Sequence, residues 1–172
     1  MNKKTIITTA LVIIAAALAF RAGISPVGQS AHPTNVEWRN FADGMNLSRT
    51  TNKKLLVDVY TDWCGWCKTM DKETYSQDDI ISYITDHFIP VRLNAESQEV
   101  RQFDTVHITD AELADAFGVT GYPTTIFITS TGQPITSIPG YIQKDEFKKI
   151  LHYVAEEAYT KMDYEQYKNS SK

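Results

Sequence analysis

Both cysteines of the chain fall within one short stretch, Asp62-Trp63-Cys64-Gly65-Trp66-Cys67-Lys68, directly after the apolar run Leu55-Leu56-Val57-Asp58-Val59-Tyr60. A run of that length and character reads as a short buried strand. The residues after Gly65, among them Lys68, Met70, Asp71 and Lys72, have little turn character and suit a helix. A strand feeding such a helix puts Cys64 at the helix N-terminus and Cys67 one turn later on the same face. One sulfur can then attack a substrate disulfide while the other waits to resolve it.

The two positions differ chemically. Cys64 would feel unpaired backbone N–H groups and the positive end of the helix dipole, which favour thiolate over thiol and make it the nucleophile. Cys67, further inside the turn, keeps its proton longer and is the resolving thiol. A C-x-x-C also serves as half of a zinc site or as a haem attachment point. Zinc takes about four ligands, yet there is no second cysteine pair, and His32, His87, His107 and His152 are scattered without ligand spacing. Haem attachment wants a histidine where Lys68 stands. No metal and no cofactor is therefore expected. A plain structural disulfide stays open as the alternative to redox chemistry, although so small a ring constrains the unfolded chain little.

Asp58 interrupts an otherwise apolar strand, so burial should raise its carboxyl pKa; a solvent-exposed carboxylate is the alternative. Trp63 and Trp66 flank the thiols and suit a partly exposed apolar rim for docking. Lys68 either helps Cys64 ionise or is a solvated helix charge.

The stretch from Val57 to Lys68 resembles the active-site strand and helix of thioredoxin, and Gly121-Tyr122-Pro123-Thr124 resembles that family's cis-proline loop. Val91-Arg92-Leu93-Asn94, Gly118-Val119, Thr125-Ile126-Phe127-Ile128 and Gly140 also fall where thioredoxins have matching features, so the likeness covers residues 36–155. It is closer to exported thioredoxin-like proteins and to the C-terminal domain of the thiol:disulfide interchange protein DsbD than to cytosolic thioredoxin. The resemblance implies a thioredoxin-like α/β fold, a mixed central sheet with helices on both faces. It implies thiol-disulfide oxidoreductase activity, with Cys64, Cys67, Asp58 and Pro123 as catalytic residues. Asp58 would lie behind Cys67 and assist its proton transfer. Arg92 takes the place of a lysine near that aspartate and would hold it ionised, against the pull of desolvation. A cis bond at Pro123 would set Tyr122 and Pro123 beside Cys64 and free the Tyr122 backbone to pair with an extended substrate. Trp63, Gly65, Trp66 and Tyr122 are the expected substrate contacts, with Lys68 and Arg92 in support. Gly65-Trp66 stands where thioredoxin has Gly-Pro, and these residues tune redox potential in the superfamily.

Lys3 and Lys4 precede an uncharged stretch, Thr5 to Phe20, rich in Ile, Ala, Leu and Val. This pattern reads as an export signal. Residues 1–31 are expected to be a signal peptide or N-terminal membrane anchor plus linker, residues 32–160 one thioredoxin-like domain, and residues 161–172 a polar C-terminal tail. The folded part is expected in the periplasm, where disulfides persist, and at the inner membrane only if the N-terminal segment is uncleaved. Net charge is -4. Removing Lys3, Lys4 and Arg21 would leave about -7, which invites neither nucleic acid nor anionic lipid.

Along the domain, Trp38, Phe41, Met45 and Leu47 predict a helix stopping at Asn52. Ser76 with Asp79 suggests a capping box before Ile80, Ile81 and Ile84. Residues 88–93 read as a strand, 95–108 as a lengthened polar loop, and Thr109 with Glu112 as a second capping box ended by Gly118. Thr124–Thr129 and Pro134–Ile138 predict a hairpin, and Phe147, Ile150, Leu151 and Val154 a terminal helix followed by Tyr159, Tyr164 and Tyr167.

The expected function is an extracytoplasmic reductase of protein disulfides. Its clients would be cysteine-containing proteins and its electron donor a membrane protein of the DsbD type. A disulfide oxidase or isomerase using the same cysteines is one alternative, and a non-catalytic peptide-binding adaptor or chaperone using the groove around Trp66 and Tyr122 is another. A copper or zinc carrier ranks third, since no third ligand is evident.

Overall fold

β1 (Lys54–Tyr60) is the centre of the architecture. In the computed structural model, which describes residues 34–170, Leu55, Leu56, Val57 and Val59 have no exposed surface. The proposed signal or anchor over residues 1–31 lies outside the described residues. β1 pairs in parallel with β2 (Phe88–Asn94) and antiparallel with β5 (Thr124–Ile128), which pairs antiparallel with β6 (Pro134–Pro139). The sheet order is β2-β1-β5-β6, the mixed sheet expected of the fold. A strand covered on both faces needs apolar residues at every position rather than alternation, which is why residues 55–60 read as a continuous run.

Proline marks both edges. Pro90 sits in edge strand β2, where its C=O accepts from the Arg39 N–H at 3.1 Å, and Pro134 and Pro139 bound edge strand β6. Proline is tolerated at an edge because it withdraws a donor only where no neighbouring strand needs one.

Helices cover both faces. On one, α1 (Phe41–Thr51) and α4 (Asp110–Ala116) bring Phe41, Met45, Leu113 and Ala114 onto Leu55, Val57, Val59, Val91 and Ile126. α1 comes close because residue 44 is glycine: a Cβ there would stand 2.2 Å from Val91 Cγ2. On the other face lie α2 (Gly65–Met70), a π-helical turn (Asp71–Tyr75), α3 (Asp78–His87) and α5 (Lys144–Ala155). They pack Met70, Tyr75, Ile80, Ile84, Phe147 and Leu151 against Leu56, Phe88 and Phe127. Asp58 shares strand parity with Leu56 and therefore points to this second face.

Three local expectations need correction. Trp38 lies ahead of α1, whose N-cap is Asn40, accepting from the Asp43 N–H at 2.9 Å; Asn52 does end the helix, in the left-handed region at φ 56°. Ser76 caps no helix. The π-turn carries helical backbone on through Tyr75, so the Ser76 hydroxyl donates backwards to the Lys72 carbonyl at 2.5 Å, and α3 starts after Gln77. Asp79 instead receives Lys144 and Lys148 at 3.0 and 2.9 Å. The segment 95–108 is no mere lengthened loop either, because a hairpin of β3 (Val100–Phe103) and β4 (Val106–Thr109) starts within it. Its pattern was mute because Val100 and Val106 remain exposed, so no apolar alternation marks a buried face. Phe103 ties the hairpin to Phe41 with ring centroids 5.4 Å apart, and Arg49 donates twice to Asp104 at its turn, at 2.7 and 2.9 Å.

The Thr109/Glu112 capping box forms in full, with Gly118 at φ +69° beyond it. Past α5, a 3-10 turn (Ala158–Thr160) leads to α6 (Tyr164–Ser170), and the rings of Tyr159, Tyr164 and Tyr167 gather around Tyr153. Among the described residues no helix is long and apolar enough to cross a membrane.

Candidate active site

Where β1 ends, the Thr61 carbonyl accepts from the Cys64 N–H at 3.1 Å and turns the chain into α2. Cys64 is the N-cap: its backbone is extended, and its sulfur accepts from the Cys67 N–H at 3.1 Å. The two sulfurs are joined in a disulfide. Each cysteine is only 4% exposed, so in this oxidised form burial does not separate them. Their place on the helix does. Cys64 Sγ takes the first-turn N–H that would stabilise a thiolate there, whereas Cys67 lies inside the turn. Nothing stands within 4 Å of where a Gly65 Cβ would be. Lys68 is exposed in the last turn of α2.

Two indoles flank the disulfide, Trp63 at 66% and Trp66 at 63% exposure. Neither hangs loose. Trp63 meets the Tyr122 ring edge-on at 6.0 Å and donates from Nε1 to Glu96 at 2.9 Å. Trp66 lies 5.6 Å from Tyr141, whose hydroxyl donates to Glu73 at 2.9 Å. No local sequence pattern connects Glu96, Tyr141 or Glu73 to the indoles. The Tyr122-Pro123 bond is cis. Its loop is held by the Thr124 hydroxyl donating to the Gly121 carbonyl at 2.8 Å and by the Gly140 N–H donating to the Pro123 carbonyl at 2.7 Å.

The central strand also carries a buried charge. Asp58 is 1% exposed, and the sheet register sets Arg92 opposite it on β2 and Thr125 opposite it on β5. Arg92 donates from Nε and Nη2 to Asp58 Oδ2, both at 3.0 Å, and its Nη2 also bonds Asp71 Oδ1. The guanidinium is sandwiched between Trp38 and Tyr60, 4.8 and 4.9 Å from their ring centroids, so it is held in place by cation–π contact as well as by charge. Burial pushes the Asp58 carboxyl from 3.8 up to about 6, against the opposing pull of Arg92. Both tendencies expected from the sequence are present, and burial wins. Burial also works against the Arg92 cation, yet Asp58 and Asp71 together hold its pKa above the ordinary value. The Tyr75 hydroxyl faces the same carboxyl, slightly stabilising its ionised form without reaching good hydrogen-bonding geometry, and burial raises the tyrosine's own pKa well above 10.

Elsewhere, a cavity of about 570 Å³ opens between β6 and α5 and shares Tyr141 with the rim, but neither cysteine lines it. Among the described residues no group of three or more His, Cys, Asp or Glu is placed to hold a metal ion.

Residues 41–155 match the model of a thioredoxin-like domain family. The chain belongs to that family. This thioredoxin-like chain is 25% identical over 136 residues to the thiol:disulfide interchange protein DsbD of Photorhabdus laumondii, an alignment covering 77% of the chain and 22% of that protein. The chain thus spans about a fifth of the length of this relative. Its fold is shared with a thioredoxin-fold protein from Helicobacter pylori, at TM-score 0.62 and 22% identity over 70% of this chain and 80% of that one. The oxidised C-terminal domain of Neisseria meningitidis DsbD also shares it, at TM-score 0.50 and 20% identity over 67% and 90% of the two chains. The Cys64–Cys67 pair lies within the residues that the family model matches.

Proposed function

We propose that this chain is a thiol:disulfide oxidoreductase that works outside the cytoplasm as a reductase of protein disulfides. The observation that carries the reading is the Cys64–Cys67 pair capping α2 beneath two exposed indoles. In the reduced form, the Cys64 thiolate attacks a client disulfide, forms a mixed disulfide and releases one client thiolate. Asp58, with its pKa near neutrality, takes the proton from Cys67. The Cys67 thiolate then attacks Cys64 Sγ, forming the Cys64–Cys67 disulfide and releasing the second client sulfur as a thiolate, which takes its proton from water. Two electrons pass from the dithiol to the client.

The cis-proline loop at Tyr122-Pro123 would present backbone to the client segment, and Trp63, Gly65, Trp66 and Tyr122 would line its path, with Lys68 and Arg92 in support. A membrane electron donor of the DsbD type would restore the dithiol, a role suggested by the similarity to DsbD. The periplasmic location rests on the charged-then-apolar pattern of residues 3–20, read as an export signal or anchor. Residues 32–160 would be the working domain and 161–172 an appendage to it.

The reduction potential of the pair, equilibrated against a dithiothreitol or glutathione series, tests the direction. A reductase is expected near the thioredoxin end of the scale, roughly -270 mV. A potential near the oxidising end, roughly -120 mV, would make the protein a disulfide donor.

The aromatic rim makes a separate prediction. Trp63→Ala and Trp66→Ala should each lower kcat/KM on a protein disulfide by about tenfold, since buried aromatic anchors carry a large share of docking energy. The loss on a small-molecule disulfide should be much smaller. Equal losses on both substrates would count against a docking role.

A further inference from the structure

The π-helical turn Asp71–Tyr75 continues directly from the helix that carries the cysteines, and π-turns within helices are rare and concentrate at functional sites. Both of its ends address Asp58. At one end, Asp71 competes for Arg92: Nη2 serves Asp58 Oδ2 and Asp71 Oδ1 together, so Asp58 shares the cation. At the other end, Tyr75 is buried against Trp38 and Phe147, with ring centroids 4.9 and 5.3 Å away, which aims its hydroxyl into the interior. Asp58 Oδ1, Tyr75 Oη and Thr125 Oγ1 are all buried without a hydrogen-bond partner among the described residues. Buried polar atoms are almost always paired, so three together in one pocket mark a place where polarity has been kept for a purpose.

We infer that this turn decides when Asp58 holds its proton, with Asp71 and Tyr75 acting as positioning residues of opposite sign. Asp71 favours the protonated carboxyl, because it is a like charge and because it draws Arg92 away. Tyr75 favours the ionised carboxylate, because its hydroxyl is turned toward that carboxyl. The charged and titratable groups facing Asp58 are Arg92 from β2 and Asp71 and Tyr75 from the turn. β5 contributes the neutral Thr125 hydroxyl, Tyr60 of β1 stacks on the same guanidinium, and the cysteines of α2 are tied in the disulfide.

The inference rests on the proton-transfer role given to Asp58 above, and the two can fail separately. The direct test is a carbon-13 NMR titration of the Asp58 carboxyl in the oxidised full-length protein, where neither cysteine titrates. Asp71→Asn removes the like charge and returns Arg92 to Asp58, so the midpoint should fall by roughly one pH unit or more. Tyr75→Phe keeps the ring packing and removes only the hydroxyl, so the midpoint should rise by about half a unit. Asp71→Glu should stay near the wild-type value. Loss of packing alone would not drive two single substitutions in opposite directions. Midpoints that stay put, or that move the same way, overturn the inference. If the midpoints move as expected while the pH profile of mixed-disulfide resolution ignores both variants and Asp58→Asn, the inference holds and the catalytic role of Asp58 falls.

Discussion

Cys64→Ser should abolish disulfide reduction, with a loss of at least about a thousandfold, because removing a covalent nucleophile leaves only residual binding effects. The arrangement at the head of α2 explains why no other group substitutes. Cys67, the remaining thiol, lies inside the turn, whereas Cys64 is the N-cap. Cys67→Ser should fail differently. Its Cys64 still attacks but nothing resolves the product, so the variant should accumulate a mixed disulfide with its client, visible as a reducible band on a non-reducing gel. Trapping by Cys64→Ser instead of Cys67→Ser would reverse the two roles. A Cys64→Ser protein that kept its effect in cells would favour the adaptor reading over the enzyme.

Asp58→Asn should stabilise the oxidised protein at neutral pH by up to about 3 kcal/mol, since a carboxyl raised by roughly two units is a cost of about 1.4 kcal/mol per unit. The sign follows from proton counting. Burial pushes the Asp58 carboxyl up to about 6 from its ordinary 3.8, so between those values the folded state holds the proton more tightly than the unfolded chain. Stability therefore falls as pH rises through this window, and the full cost is present above about pH 6. Below the unfolded value both states are protonated and the cost vanishes.

Removing one member of a buried ion pair usually destabilises, because the other charge is stranded. Here Arg92 keeps Asp71 and the rings of Trp38 and Tyr60, and its side chain is 24% exposed. That loss is accordingly the smaller term. Urea unfolding at pH 4 and pH 7.5 would check it: wild type should be less stable at the higher pH on account of Asp58, and the variant should lose that component. The gain should come with slower resolution by about a hundredfold, the usual contribution of a positioned general base. A variant less stable than wild type at pH 7.5 would show that Arg92 needs Asp58 more than burial penalises it.

Much of this site was legible because its signals are local. A C-x-x-C after an apolar run announces strand, turn and helix within about a dozen residues. Thr109 and Glu112 announce their capping box at three-residue spacing. The cis bond before Pro123 came from family resemblance, since no local rule separates it from an ordinary trans proline. The hairpin at 100–109 escaped because its strands bury neither face well, and Ser76 misled because its four-residue signature fits a helix start as well as the end of a π-turn. Glu96, Tyr141, Asp71 and Tyr75 escaped because their partners are brought to them by folding.

By itself the sequence determined the chemistry: two sulfurs, three residues apart, at the mouth of a helix fed by a buried strand, with a carboxylate inside that strand. Only the tertiary structure decided how strongly that carboxylate holds its proton. Asp58 meets Arg92, 34 residues on, through the parallel register of β1 and β2, and Arg92 meets Asp71, 21 residues before it in sequence, through the packing of the π-turn on the sheet. Desolvation and charge act through space, so register and burial set their balance.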